Sequence, residues 1–112
     1  MWGGLLTIPD IFALFPDDPI HIGGSAARSL STARDIDLFF PTKEDLLACC
    51  KRLGITHNSW KDPRGHMISR ANYQHPQLSK PVQLLWDSRG MPPHQYIERD
   101  GSVHNEGEFH CK

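Results

Sequence analysis

The sequence predicts a mixed α/β (α+β) domain, with helices packed on one side of a mixed sheet, and three observations carry that expectation. Strand-like and helix-like segments alternate through residues 8–60. The segment Asp35–Phe40 puts Ile36, Leu38 and Phe40 on one face of an extended chain, as a half-buried strand requires. Residues 43–53 carry a helix start, an apolar stripe and a helix stop that agree with one another. A chain of 112 residues can build one modest core. One domain over 1–112 is therefore expected, with a helix and turn in 1–19 and a polar tail in 100–112.

The first element is a short amphipathic helix with Thr7 as N-cap, Pro9 in the first turn, and Ile11, Phe12 and Phe15 on the buried face. Pro16–Pro19 makes a turn. Ile20-His21-Ile22 forms a short strand that runs into Gly23-Gly24-Ser25, and Ala26–Leu30 forms a short helix that Ser25 can cap. After the Ser31–Arg34 loop comes the Asp35–Phe40 strand, ended by Pro41. Thr42 caps the next helix, with Glu44 and Asp45 in its first turn, Lys51 and Arg52 in its last, and Gly54 as the left-handed stop. Leu46, Leu47, Cys50 and Leu53 form its stripe, with Cys49 and Cys50 read as one core residue and one near-surface neighbour. Ile55–Trp60 and His66–Tyr73 read as strands around the turn Asp62-Pro63-Arg64-Gly65, and Pro81–Trp86 as another. Met91-Pro92-Pro93 is a loop, His94–Arg99 one or two helical turns, and the tail an extended segment or hairpin.

Composition narrows the function classes. The net charge of −1 supplies no global basic field for nucleic acid, so function must come from a local site. No apolar run reaches the roughly 18–20 residues of a membrane span. Met1–Phe15 has no basic lead and carries Pro9 and Asp10, unlike a secretory signal. Three cysteines, two of them adjacent, make no secreted disulfide framework, and a cytoplasmic location is expected. The histidines, including His104 and His110 beside Cys111, match no zinc spacing and read as scattered surface residues. Trp86 and the Phe39–Phe40 pair read as core.

The chemistry-bearing stretch is His21–Phe40. Two glycines at a strand-to-helix turn let backbone approach a bulky ligand, and a helix start offers free N–H groups to an anion. Ser25 can donate to a phosphate oxygen, and Arg28, one turn on, can put a guanidinium on the same face. Asp35 and Asp37 share a strand face, about 6.5–7 Å apart at Cα, close enough for both to lean toward one hard cation. Each piece alone has a plainer reading, an ordinary turn or a solvated strand face; Arg34 is read as surface charge. Their combination is what points to a site.

At these residues the chain resembles the nucleotidyltransferase superfamily, whose polymerase-β-like signature is a Gly-Ser turn, a short helix and Asp-x-Asp at a strand start. Here these are Gly24-Ser25 and, nine residues on, Asp35-Ile36-Asp37. The interval is similar to that of minimal nucleotidyltransferases, and Pro81–Leu85 followed by Gly90–Pro93 resembles small phage-encoded members. The resemblance covers residues 20–99 and is closest over 22–40. It implies a metal-dependent nucleotidyltransferase, with Asp35 and Asp37 as catalytic magnesium or manganese ligands and Gly24, Ser25 and Arg28 binding a nucleoside triphosphate. The acceptor would be a hydroxyl of a protein, nucleic acid or small molecule. Three departures from the family's pattern stand beside it. Gln83 occupies the expected third-carboxylate position, Ser29 follows Arg28 where relatives have Gly or Asp, and there is no second domain within these residues. Asp87 shares the alternation face of Gln83 and is expected past the strand end. The departures imply the alternative, a catalytically inactive module that binds nucleotide or a partner protein, or one completed by a homo-oligomer or partner chain.

Overall fold

The computed structural model describes residues 7–90 and 95–104. Expectations for the Met91–Pro93 loop, His110 and Cys111 lie outside the described residues. Among these residues three helices and seven strands follow in chain order: α1 (Ile8–Leu14), β1 (His21–Gly23), α2 (Gly24–Arg28), β2 (Ile36–Phe39), α3 (Lys43–Leu53), β3 (Asn58–Lys61), β4 (Met67–Tyr73), β5 (Val82–Asp87), β6 (Tyr96–Ile97) and β7 (Val103–His104). The strands form one mixed sheet in the order β3-β4-β5-β2-β1-β6-β7. Among the described residues only β2 and β5 run parallel, and the connection between them is long enough for the crossover a parallel pair needs, carrying α3 and the β3–β4 hairpin.

Helix starts follow the sequence signals. Thr7 and Asp10 form a reciprocal capping box on α1, with Pro9 in its first turn. Thr42 accepts from the Asp45 backbone N–H, and Gly54 adopts φ 73° at the end of α3. The buried stripe of α3 is Leu46, Cys49 and Cys50. Both cysteines are thus core residues, where one near-surface neighbour was expected, and Leu47 is only half-buried. Burial pushes the Cys49 thiol up to about 12 and raises Cys50 as well, so both are inert packing groups.

One core takes side chains from all three helices and from the inward positions of five strands: Ile22, Ile36, Leu38, Ala71, Val82, Leu84 and Ile97. The alternate positions face away from it. Phe40 joins the core, whereas Phe39 is half-buried on the opposite face, beside the acids. That corrects the reading of the pair as core.

Two expectations shift at element ends. Helix α2 starts at Gly24, so Ser25 lies in its first turn and Gly23 stands at the cap without a side-chain bond. The segment His94–Arg99, expected to be helical, contains β6 instead, paired to β1 through Ile97 and Ile22. A turn at Glu98–Gly101 folds it back onto β7, with Gly101 at φ 91°. Arg99 then reaches α1, donating to the carbonyls of Phe12 (2.9 Å), Phe15 (2.7 Å) and Asp18 (2.5 Å). Each of these carbonyls also accepts a backbone N–H, from Phe15, Asp18 and Ile20 respectively, so the guanidinium adds a second bond at the end of α1 and the turn after it.

Asp18 is 4% exposed and is paired with Arg52 at 2.5 Å. Removing the guanidinium leaves a buried carboxylate uncompensated. Because Arg52 itself is half-exposed, Arg52→Ala is expected to cost about 2 kcal/mol, below the figure for a fully buried pair. A denaturant midpoint equal to that of the parent would show that the pair contributes nothing.

Candidate metal and nucleotide site

Ladder register assembles the site on the sheet face away from the core. Asp37 pairs with Gly23 of β1 on one side and Gln83 of β5 on the other, and Gln83 pairs with Asn72 of β4. Asn72, Gln83, Asp37 and Gly23 therefore form one row across four strands. Asp35 stands just before β2, half-buried, and acts electrostatically on Asp37. The two acids come together as expected, and Gln83 lies beside Asp37.

The carboxylate of Asp37 is poorly satisfied for a buried charge. Its Oδ1 is enclosed and has no hydrogen-bond partner among the described residues. Its Oδ2 lies against Gly24, where an added Cβ would approach to 2.4 Å. Burial, and secondarily the charge of Asp35, push its pKa up to about 6. Gly24 adopts φ 65° as α2 begins. Its bare Cα thus makes room first for the Asp37 carboxylate, a nearer constraint than the ligand approach expected from sequence.

An oxygen-seeking dication fits this donor set. Two carboxylates and the neighbouring Gln83 amide are hard ligands, and the enclosed Oδ1 is an acceptor awaiting a positive partner. Among the described residues no group of three or more His, Cys, Asp or Glu side chains could hold a metal ion. Two protein acids match magnesium's habit of binding through one or two carboxylates and completing its shell with water and substrate phosphates.

Arg28 ends α2 and is exposed, without a hydrogen bond or ion pair among the described residues. Ser25 is half-buried in the first turn of the same helix. Asp87 is the last residue of β5 and not beyond the strand, so that expectation is corrected. It lies four residues beyond Gln83, about 13 Å along the strand. Both of its oxygens accept from Arg89, at 2.9 and 2.7 Å.

Three features were not singled out in the sequence. His21 lies next to the site on β1, its Nδ1 buried and unpartnered, and burial lowers its pKa against the opposing pull of Glu98. Its ring meets Tyr96 edge-on, and Tyr96 stacks on His104, which pairs with Glu98 at 2.7 Å. Arg70 and Asn72 are the third feature, legible as the exposed positions of a strand whose alternate residues, Ser69 and Ala71, are buried. No protein-family model, curated protein or solved structure matches the chain. Among the described residues no helix is long and apolar enough to cross a membrane.

Proposed function

We propose that the protein is a metal-dependent nucleotidyltransferase, moving a nucleoside monophosphate from a triphosphate to an acceptor hydroxyl. The observation that carries the reading is the enclosed, unpartnered oxygen of Asp37, with Asp35 beside it and its pKa raised to about 6. Asp35 and Asp37 would hold magnesium or manganese, with the Gln83 amide oxygen alongside. Gly24 and Ser25 would meet the phosphates at the start of α2, and Arg28 would reach them from its end. The bound cation would supply charge neutralisation at the transferred phosphoryl group and the departing pyrophosphate.

A second reading has its own observation. Gln83 occupies the position beside Asp37, and Asp87 is committed to Arg89. An amide offsets no cation charge and accepts no proton from an attacking hydroxyl. This favours a module that binds triphosphate and turns it over weakly or not at all. Incubation with each labelled triphosphate and magnesium decides between the two. Pyrophosphate release and transferred label, both lost in Asp35→Asn, support the enzyme. Triphosphate binding without release supports the module, and no triphosphate binding in any metal sinks both. Asp87→Asn is expected to leave any turnover unchanged.

A further inference from the structure

The β3–β4 ribbon carries a second surface on the same sheet face. Trp60 of the edge strand is 39% exposed, and the Arg70 guanidinium lies 5.4 Å from its ring centroid. Beside them is a cleft of about 400 Å³ whose lining includes Ile55, Thr56, Asn58, Arg70, Ala71 and Asn72, within the size range of small-ligand sites. Strand β3 pairs only with residues 67–70, which leaves the outer edge of β4 beyond Arg70 open at this cleft. Residues 55–70 contain three cations, Lys61, Arg64 and Arg70, against one acid, Asp62. That acid is already engaged by the backbone N–H groups of Arg64 and His66, and lies 4.0 Å from Arg89. The ribbon is therefore locally positive in a chain of net charge −1.

We propose that this face of the ribbon binds an unpaired nucleic-acid strand. A base stacks on Trp60, a neighbouring base edge enters the cleft, and the backbone runs along the cationic side. An exposed aromatic under a guanidinium is a stacking platform that accepts any base. The amides of Asn58 and Asn72 and the Thr56 hydroxyl offer the donors and acceptors that read base edges once a base is unpaired. A duplex hides those base faces, and an apolar peptide finds only Ile55 and Ala71 as apolar lining among the polar groups of this cleft. Asn72 lies two strand spacings from Asp37 in the same row, about 10 Å. A strand end leaving the cleft along that row arrives at the acids. Binding at the ribbon stands by itself; that the bound strand supplies the acceptor hydroxyl rests on the function proposed above.

The test is fluorescence anisotropy with short labelled oligonucleotides in a chelator, so that the metal site takes no part. Unpaired DNA or RNA should bind, and the matching duplex at least about tenfold more weakly. Trp60→Ala should lose about tenfold, in the range of one stacked base, while Trp60→Phe keeps most of the affinity. Arg70→Ala should weaken binding and flatten its salt dependence by about one phosphate contact. The Asp35→Asn, Asp37→Asn double variant should bind no more weakly than the parent. Circular dichroism of each variant checks that the fold is intact. Equal affinity of Trp60→Ala and the parent, equal affinity for duplex, or no oligonucleotide binding would overturn the proposal. If the oligonucleotide binds and triphosphate does not, the ribbon stands and the proposed function alone is lost.

Discussion

Asp37→Asn is expected to remove metal-dependent triphosphate binding and, in the same protein, to raise the stability of the metal-free form at pH 7. The folded-state pKa of Asp37 is raised from 3.8 to about 6 by burial and Asp35. The sign follows from linkage: the favourable contribution of this carboxyl is fully present below about pH 4 and is lost as pH rises through about 6. Metal-free protein should therefore weaken across that window. The full shift would correspond to about 3 kcal/mol; because the site is half-open to solvent, about 1–2 kcal/mol is the reasonable expectation. The neutral amide of Asn has no charge to desolvate, so the variant should lack this fall in stability and gain on the parent as pH rises through the window. Urea midpoints at pH 4, 6 and 8 with chelator measure this. Calorimetry with triphosphate and magnesium measures the binding arm. Equal affinity in parent, variant and chelated parent would remove the metal assignment.

Gly24→Val is expected to cost about 2–3 kcal/mol and to abolish triphosphate binding with it. Two causes coincide. At φ 65° a β-branched residue is strained by about 1–3 kcal/mol. A Cβ there would also meet Asp37 Oδ2 at 2.4 Å and its Cγ at 3.3 Å. That carboxylate is a short side chain on a central strand, without the freedom of a long flexible tip, so it must rotate or the start of α2 must move. Gly54→Ala is the control: φ is 73° but nothing lies within 4 Å, so only backbone strain of about 1 kcal/mol should appear. If Gly24→Ala costs no more than Gly54→Ala and binds triphosphate normally, the close approach to Asp37 carries no consequence.

Where signals were local and mutually consistent, the sequence was readable. The α3 segment carried its cap, acidic first turn and glycine stop within thirteen residues, 42–54, and each appears where expected. The alternation around Asp35 and Asp37 was equally local, and it put both acids outside the core. What sequence could not supply was partner choice between strands. That Gln83 sits beside Asp37 follows from a parallel register set by burial of Val82 and Leu84 against Ile36 and Leu38. The helix expected at His94–Arg99 failed because Ile97 is claimed by the ladder to Ile22, a tertiary demand that overrides weak local preference. The alternation of Tyr96 and Ile97 before Asp100-Gly101 was a hairpin signal that had been available. Cys50 lies in the core as its place in the stripe implies, and Cys49 joins it because Cys49, not Leu47, falls on the line from Leu46 that meets the core.

Arg99 has a consequence for the order in which the polypeptide takes shape during synthesis. Its guanidinium closes the end of α1 across 87 residues of sequence, at the Phe12 carbonyl. While a ribosome is still extending the chain, the Thr7 box can start α1, but the carbonyls of Phe12, Phe15 and Asp18 have their local N–H donors without the guanidinium that later adds a second bond to each. At elongation rates of about 5–20 residues per second, Arg99 is added roughly 4–17 s after Phe12, and it then has to clear the exit tunnel. Until then Ile8 and Phe12 lack the β6–β7 hairpin, whose Ile97 and Val103 line a pocket with them. The nascent protein thus passes through an interval in which α1 is capped at its start and unfinished at its end.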